Sequence, residues 1–249
     1  MLEEILLFVL VGFLAQMVDG SIGMAYGLIA TSVLLSMSVS PAVASASVHA
    51  AEMFTTGASG LAHWRAGNVV ARLVLRLAIP GMLGGVLGAY VLTDLPVEIM
   101  KPVVSAYLIV MGLLILRRAL RRPTPPPAKP PRVTLLGFGG GFVDAIGGGG
   151  WGPIVTSTLI GRGNVARTSI GSTNAAEFFV TTAITAVFVA TIGLELWPVI
   201  LGLVLGGVLA APLAALVTKK LPERPLMIIV GVVITLLSLR NLAIQFDLA

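Results

Sequence analysis

Apolar residues run along this chain in ten blocks, separated by short clusters of charge, glycine and proline. The blocks cover roughly 4–19, 24–38, 41–62, 70–92 and 98–116, then 133–147, 151–160, 167–191, 197–217 and 225–243. Most are long enough to cross a hydrocarbon core of ~30 Å as helices rising 1.5 Å per residue. The opening pair of each half is short, and a glycine-rich break joins its two members. As a helix, the block at 151–160 would extend ~15 Å, half a bilayer core. Each pair therefore reads as a hairpin of broken or re-entrant helices. Such backbone is tolerated at membrane depth only where protein packs around it or where it lines a polar cavity.

The two sets of blocks are copies of one another. A shift of 125 positions, without a gap, lays Gly12-Phe13 on Gly137-Phe138 and Val18-Asp19 on Val143-Asp144. The same shift pairs Gly23 with Gly148, Gly27 with Gly152, and Thr31-Ser32 with Thr156-Ser157. It also lays Ser47 on Ser172, Ala50-Ala51-Glu52 on Ala175-Ala176-Glu177, and Thr56 on Thr181. The pattern predicts an all-α polytopic membrane protein made of two inverted-topology repeats. Each repeat is a broken or re-entrant helical hairpin followed by three transmembrane helices. In so apolar a chain, a two-fold repeat carrying paired acids and glycine breaks is the mark of a secondary transporter.

Composition sharpens this. The chain is 57% hydrophobic and 11% charged, too little charge to cover a soluble domain of this length. Without cysteine, disulfides and thiol chemistry are excluded. The net charge of +5 comes from residues in short loops, where they act as topology signals and not as a nucleic-acid surface. Met1-Leu2-Glu3-Glu4 lacks the basic region of a signal peptide, so Ile5 onward reads as retained structure. Arg117, Arg118, Arg121 and Arg122 followed by Pro123-Thr124-Pro125-Pro126-Pro127 mark a boundary. The expected division is a first transmembrane repeat over 1–118, a cytoplasmic Pro/Arg-rich linker over 119–132, and a second transmembrane repeat over 133–249. His63, Arg65, Arg72, Arg76, Arg162, Arg167, Lys219, Lys220 and Arg224 then fall inside, and Glu3, Glu4, Asp94, Glu98, Glu195 and Asp247 outside. Lys101 and Arg240 depart from that map and could snorkel from helix ends. Both termini are expected outside.

Four acids lie where acids are costly: Asp19, Asp144, Glu52 and Glu177. A carboxylate at mid-membrane costs ~2.5–3.5 kcal/mol on insertion scales unless it is solvated, paired or protonated. Each could carry protons or line a transport cavity; Asp19 and Asp144, just before the breaks, could equally cap exposed amides. Ser45, His49, Glu52 and Thr56 share one helical face, matched by Asn174, Glu177 and Thr181 with Ser172 and Thr173 beside them. His49 stands where the second copy has Asn174. It could pack as a hydrogen-bond donor or hold a proton near neutral pH.

The breaks themselves are Gly20-Ser21-Ile22-Gly23-Met24-Ala25-Tyr26-Gly27 and Ala145-Ile146-Gly147-Gly148-Gly149-Gly150-Trp151-Gly152. A half-helix starting after such a break aims free N–H groups and a partial positive charge at the cavity, an anion site needing no buried Arg or Lys. Ser21, Gly23, Gly148, Gly149 and Gly150 are candidates for that backbone site, and Ser47, His49, Ser172, Thr173 and Asn174 for side-chain contacts. The alternative is that the glycines serve close helix packing. Tyr26 and Trp151 could gate the cavity or fill space.

The run Gly137-Phe138-Gly139-Gly140-Gly141-Phe142-Val143-Asp144-Ala145-Ile146-Gly147-Gly148-Gly149-Gly150-Trp151-Gly152-Pro153 resembles the TauE/SafE family of sulfite and organosulfonate exporters. So do Ile170-Gly171-Ser172-Thr173-Asn174-Ala175-Ala176-Glu177 and the weaker copy at 12–56. The resemblance covers the whole chain. It implies transport of small sulfur-containing or organic anions across a bacterial inner (cytoplasmic) membrane, usually outward. The first copy departs from the family pattern, with Met24-Ala25-Tyr26 and Leu28 in place of further glycines and a proline.

The leading expectation is a secondary active transporter, an exporter of sulfite or a short organosulfonate or organic acid. It would work by alternating access, one repeat rocking against the other, with protons carried on Glu52 or Glu177. A passive anion channel and a cation-coupled importer of an organic anion are the alternatives. An enzyme is not expected: His49 and His63 show no metalloprotease spacing and there is no cysteine nucleophile. No cofactor, metal or nucleic acid is expected. The partners are a small anion, the lipid bilayer and, as an open option, further copies of this chain.

Overall fold

A computed structural model describes residues 2–121, 132–217 and 223–246. Arg122, Pro123 to Pro127, Lys219, Lys220 and Asp247 lie outside the described residues. The described residues are helical almost throughout, without a strand. The first half holds α1 (Leu2–Ile22), α2 (Tyr26–Ser36), α3 (Pro41–Arg65), α4 (Ala71–Asp94) and α5 (Val97–Leu120). The second holds α6 (Val133–Gly147), a π-helical turn (Gly152–Thr156) running into α7 (Ser157–Gly161), α8 (Ala166–Thr191), α9 (Trp197–Val217) and α10 (Glu223–Gln245).

Local chemistry sets these limits. Pro41 opens α3, where its missing N–H is no loss. Positive φ at Gly23 and Ala25 separates α1 from α2, and at Gly148, Gly149 and Gly150 it separates α6 from the π-turn. Among the described residues, five helices are long and apolar enough to cross a membrane: Ala71–Asp94, Val97–Leu120, Ala166–Thr191, Trp197–Ala214 and Arg224–Gln245. Their outward faces carry exposed stripes such as Leu75, Ile79, Leu83 and Leu87 on α4. In water such a stripe would be a liability; in lipid it is the solvated surface.

The halves interlock. α1 packs along α9 in parallel, Gly12 against Leu203 and Gly20 against Ala214. α6 packs along α4 in the same way, Gly137 against Leu77 and Gly141 against Gly81. α3 and α8 cross antiparallel, Gly57 meeting Phe178 and Gly60 meeting Ala175. α5 and α10 are antiparallel too, with Gly112 against Gly231 and Thr235, and the Gln245 amide donating to the Glu98 carbonyl at 3.4 Å. Each of these helices thus finds either its own counterpart or the exchanged partner in the other half, while α2 packs against α10. Small residues at every crossing let the backbones approach closely, the usual route to helix association without a hydrophobic drive.

These directions fix the hairpins. α9 begins on the face where α8 ends, which is the face where α3 begins because α3 and α8 are antiparallel. α1 is parallel to α9 and so starts there, and α2, which leads into α3, returns there. By the same reasoning α6 starts on the opposite face and α7 returns to it. Each hairpin therefore begins and ends at one end of the helix bundle.

Candidate functional site

The two breaks meet at the centre of the fold. Gly27, at the start of α2, lies against Gly148 and Gly149, and Gly152 lies against Gly23 and Met24. Side chains at Gly27 or Gly152 would occupy the space of the opposing backbone, so this junction requires glycine on both sides. Tyr26 and Thr55 lie against Gly207, and Trp151 and Val180 against Gly81, in corresponding positions of the two halves. Both aromatics are fully buried. The Tyr26 hydroxyl donates to the Leu203 carbonyl at 3.0 Å and the Trp151 indole N–H to the Thr173 carbonyl at 3.2 Å.

Each aspartate serves the half-helix that follows it. The Trp151 N–H donates to Asp144 Oδ1 at 2.8 Å, and the Tyr26 N–H faces Asp19 Oδ1 at 3.5 Å. The amides expected to be free for an anion are therefore satisfied, in this conformation, by the chain's own carboxylates. Glu52 adds a second acceptor at α2, taking the Gly27 N–H, while its Oε2 is buried without a hydrogen-bond partner. Glu177 holds the equivalent place on α8 and is also buried. Among the described residues no Lys or Arg pairs with these acids; the one ion-pair contact is His49 Nε2 to Asp144 Oδ2 at 3.3 Å.

Other expected site residues are committed elsewhere. Ser47 donates to the Val43 carbonyl of its own helix at 2.8 Å. Ser172 accepts the Val70 N–H at 2.9 Å, and the Asn174 amide donates to Ser59 at 2.9 Å, both in the packing of α8 on the first half. Thr56 and Thr181 bond back to the carbonyls of Glu52 and Glu177. Thr173 does reach the junction, accepting from Thr156 at 2.8 Å. Ser21 falls in the last turn of α1 with its side chain outside the described residues.

The four-glycine run packs against protein. Side chains at Gly147 or Gly150 would strike Tyr107, at Gly148 Thr31, and at Gly149 the backbone of Gly27 and Leu28. The Tyr107 hydroxyl donates to the Gly149 carbonyl at 2.7 Å, and Thr31 donates to the Gly148 carbonyl. Sequence reasoning missed Tyr107 because its counterpart one repeat on is Val232, so the duplication gives no signal there. Thr31 and Thr156 did carry the signal, as an aligned pair.

Two cavities flank this closed centre. One of about 520 Å³ lies among the ends of α2 and α10 and the start of α5, with Ser36, Ser38, Lys101, Ser105 and Asn241 in its wall. The other, about 330 Å³, lies toward the far end of α5 and is lined by Met24, Pro153, Ser157 and Arg118. It reaches the residues of the first break from that side.

A family description, "Sulfite exporter TauE/SafE", matches residues 8–241. The chain belongs to the TauE/SafE family. It is 40% identical over 250 residues to "Probable membrane transporter protein YtnM" of Bacillus subtilis (strain 168), covering 97% of this chain and 83% of that protein. No solved structure matches significantly. As a TauE/SafE protein it is a multi-pass membrane transporter. The expectations of an all-helical fold and of this family are borne out.

Proposed function

We propose that this TauE/SafE protein is a secondary active exporter of a small anion, sulfite or a short organosulfonate or organic acid, acting by alternating access. The observation that carries the reading is the meeting of two helix breaks, one from each half, at a buried polar centre between two cavities. Broken helices crossing near the midplane are the recurrent site architecture of secondary transporters. The antiparallel pairing of α3 with α8 and of α5 with α10 supports halves inverted in the bilayer. The arginines at the end of α5 support a cytoplasmic linker, with both termini outside.

The caps set a condition on any anion. Four carboxyl groups line or adjoin the centre, so an anion enters only as protons neutralise them or as the caps let go. Glu52, with one carboxyl oxygen unpartnered, is the acid that a ligand or proton can satisfy. Because α1 rides on α9 and α6 on α4, the moving bodies are read as mixtures of both halves and not as one half rocking on the other.

Efflux of sulfite from proteoliposomes, with and without a pH gradient, tests the reading. Saturable efflux accelerated by the gradient is the expected outcome; linear, unsaturable flux would point to a channel. A second reading, a cation-coupled importer of an organic anion, draws on the same four acids. Flux that requires sodium and ignores pH would favour it.

A further inference from the structure

The hydrogen bonds around His49 count protons. Nδ1 lies 2.8 Å from the Ser45 carbonyl oxygen and 3.2 Å from Ser45 Oγ. The Ser45 hydroxyl donates to the Ala145 carbonyl at 2.6 Å, so its oxygen meets the ring as an acceptor. Both neighbours of Nδ1 accept, and Nδ1 must therefore carry the hydrogen. That leaves Nε2, 3.3 Å from Asp144 Oδ2. A bare Nε2 and a carboxylate oxygen are both acceptors, and the contact holds only with one proton between them. It sits either on the ring, giving an ion pair, or on the carboxyl; the count is the same. The other carboxyl oxygen is already occupied by the Trp151 N–H. At 0% and 1% exposure, the pair is shut off from bulk solvent.

We propose that the His49–Asp144 pair is where this protein carries its coupled proton. Loaded, the pair latches α3 of the first half to the second break. Emptied, it sets a lone pair against a carboxylate, and the latch opens beside the start of the half-helix that Asp144 caps. The inference rests on the coupled-transport reading but puts the proton here and not on Glu52 or Glu177. It also makes the device single. The first break has no copy of it, since the position on α8 matching His49 is Asn174, which bonds to Ser59. The titratable groups that surround the pair are Glu52 on α3 itself, Tyr107 on α5 and Glu177 on α8. His49 is the sole base in this set.

Two measurements test it. In proteoliposomes loaded with sulfite, the ratio of efflux with a pH gradient to efflux without one cancels any change in overall rate. That ratio should fall to one in His49→Gln and in Asp144→Asn. A wild-type ratio in His49→Gln overturns the proposal. The second measurement needs no substrate: the infrared difference spectrum of the purified protein between acid and alkaline pH. The proposal requires a carboxyl or imidazole change in wild type that vanishes in both His49→Gln and Asp144→Asn. A change lost in one variant alone, or in neither, overturns it. If no anion moves through any form, the transporter reading falls while the spectra still decide the pair.

Discussion

At the first break the chain turns through Gly23, Met24 and Ala25; at the second it turns through Gly148, Gly149 and Gly150. The first forces an alanine to φ 95°, a left-handed geometry that costs a residue with a Cβ about 1–2 kcal/mol. The second uses glycine at each strained position. The first half-helix is held by an Asp19 contact of 3.5 Å, the second by an Asp144 bond of 2.8 Å, with Tyr107 and Thr31 bonded to the glycine carbonyls. Two copies of one motif have thus diverged: the second turn is bonded at its glycine carbonyls, whereas the first half-helix takes a further acceptor, Glu52, from α3 and itself supplies Thr31 to the second turn.

Substitutions at matching positions can break or sharpen that contrast. The largest effect is expected for Gly149→Val, which puts a branched side chain into the Gly27 backbone at φ 140°. A loss above about 4 kcal/mol, seen as failure to elute as a monodisperse species, is expected. At the first break Ala25→Gly should go the other way and gain about 1 kcal/mol by removing left-handed strain, read as a higher Tm in detergent. Asp144→Ala should follow, since it strands the Trp151 N–H and His49 together. We expect it to cost about 2–4 kcal/mol, against about 1 kcal/mol for Asp19→Ala, compared by thermal unfolding. Tyr107→Phe removes one bond to the Gly149 carbonyl and should cost about 1 kcal/mol, whereas Val232, its lipid-facing counterpart, should accept exchange to Leu without a change in Tm. The smallest difference is between the serines. Ser172→Ala orphans the Val70 N–H at about 1 kcal/mol, and Ser47→Ala, which only frees a helix carbonyl, should stay within about 0.5 kcal/mol. Equal losses for each pair would mean that the two hairpins are equivalent after all.

The helices were largely legible in the hydrophobic pattern because lipid imposes spans of fixed length. The block read at 98–116 is helical over Val97–Leu120, and that read at 133–147 coincides with α6. The junction was legible because Gly27 and Gly152 keep their register across the repeat. Tyr107 was not, because one aromatic in an apolar helix looks like packing until its partner is known. Ser47 and Ser172 show the limit from the other side: the repeat aligns them, yet one bonds within its own helix and the other caps a neighbouring loop. Helical spacing gives a residue's face, not which competing acceptor or donor lies on it. The exchange of α1 onto α9 was beyond sequence pattern altogether, since both candidate neighbours offer the same small-residue surface.

That exchange has a consequence for biosynthesis. α1 leaves the ribosome early, but the helix it packs along does not begin until Trp197. Until then the face of α1 that carries Gly12 and Gly20 lacks the helix it packs on, so this contact forms only after most of the chain has been made.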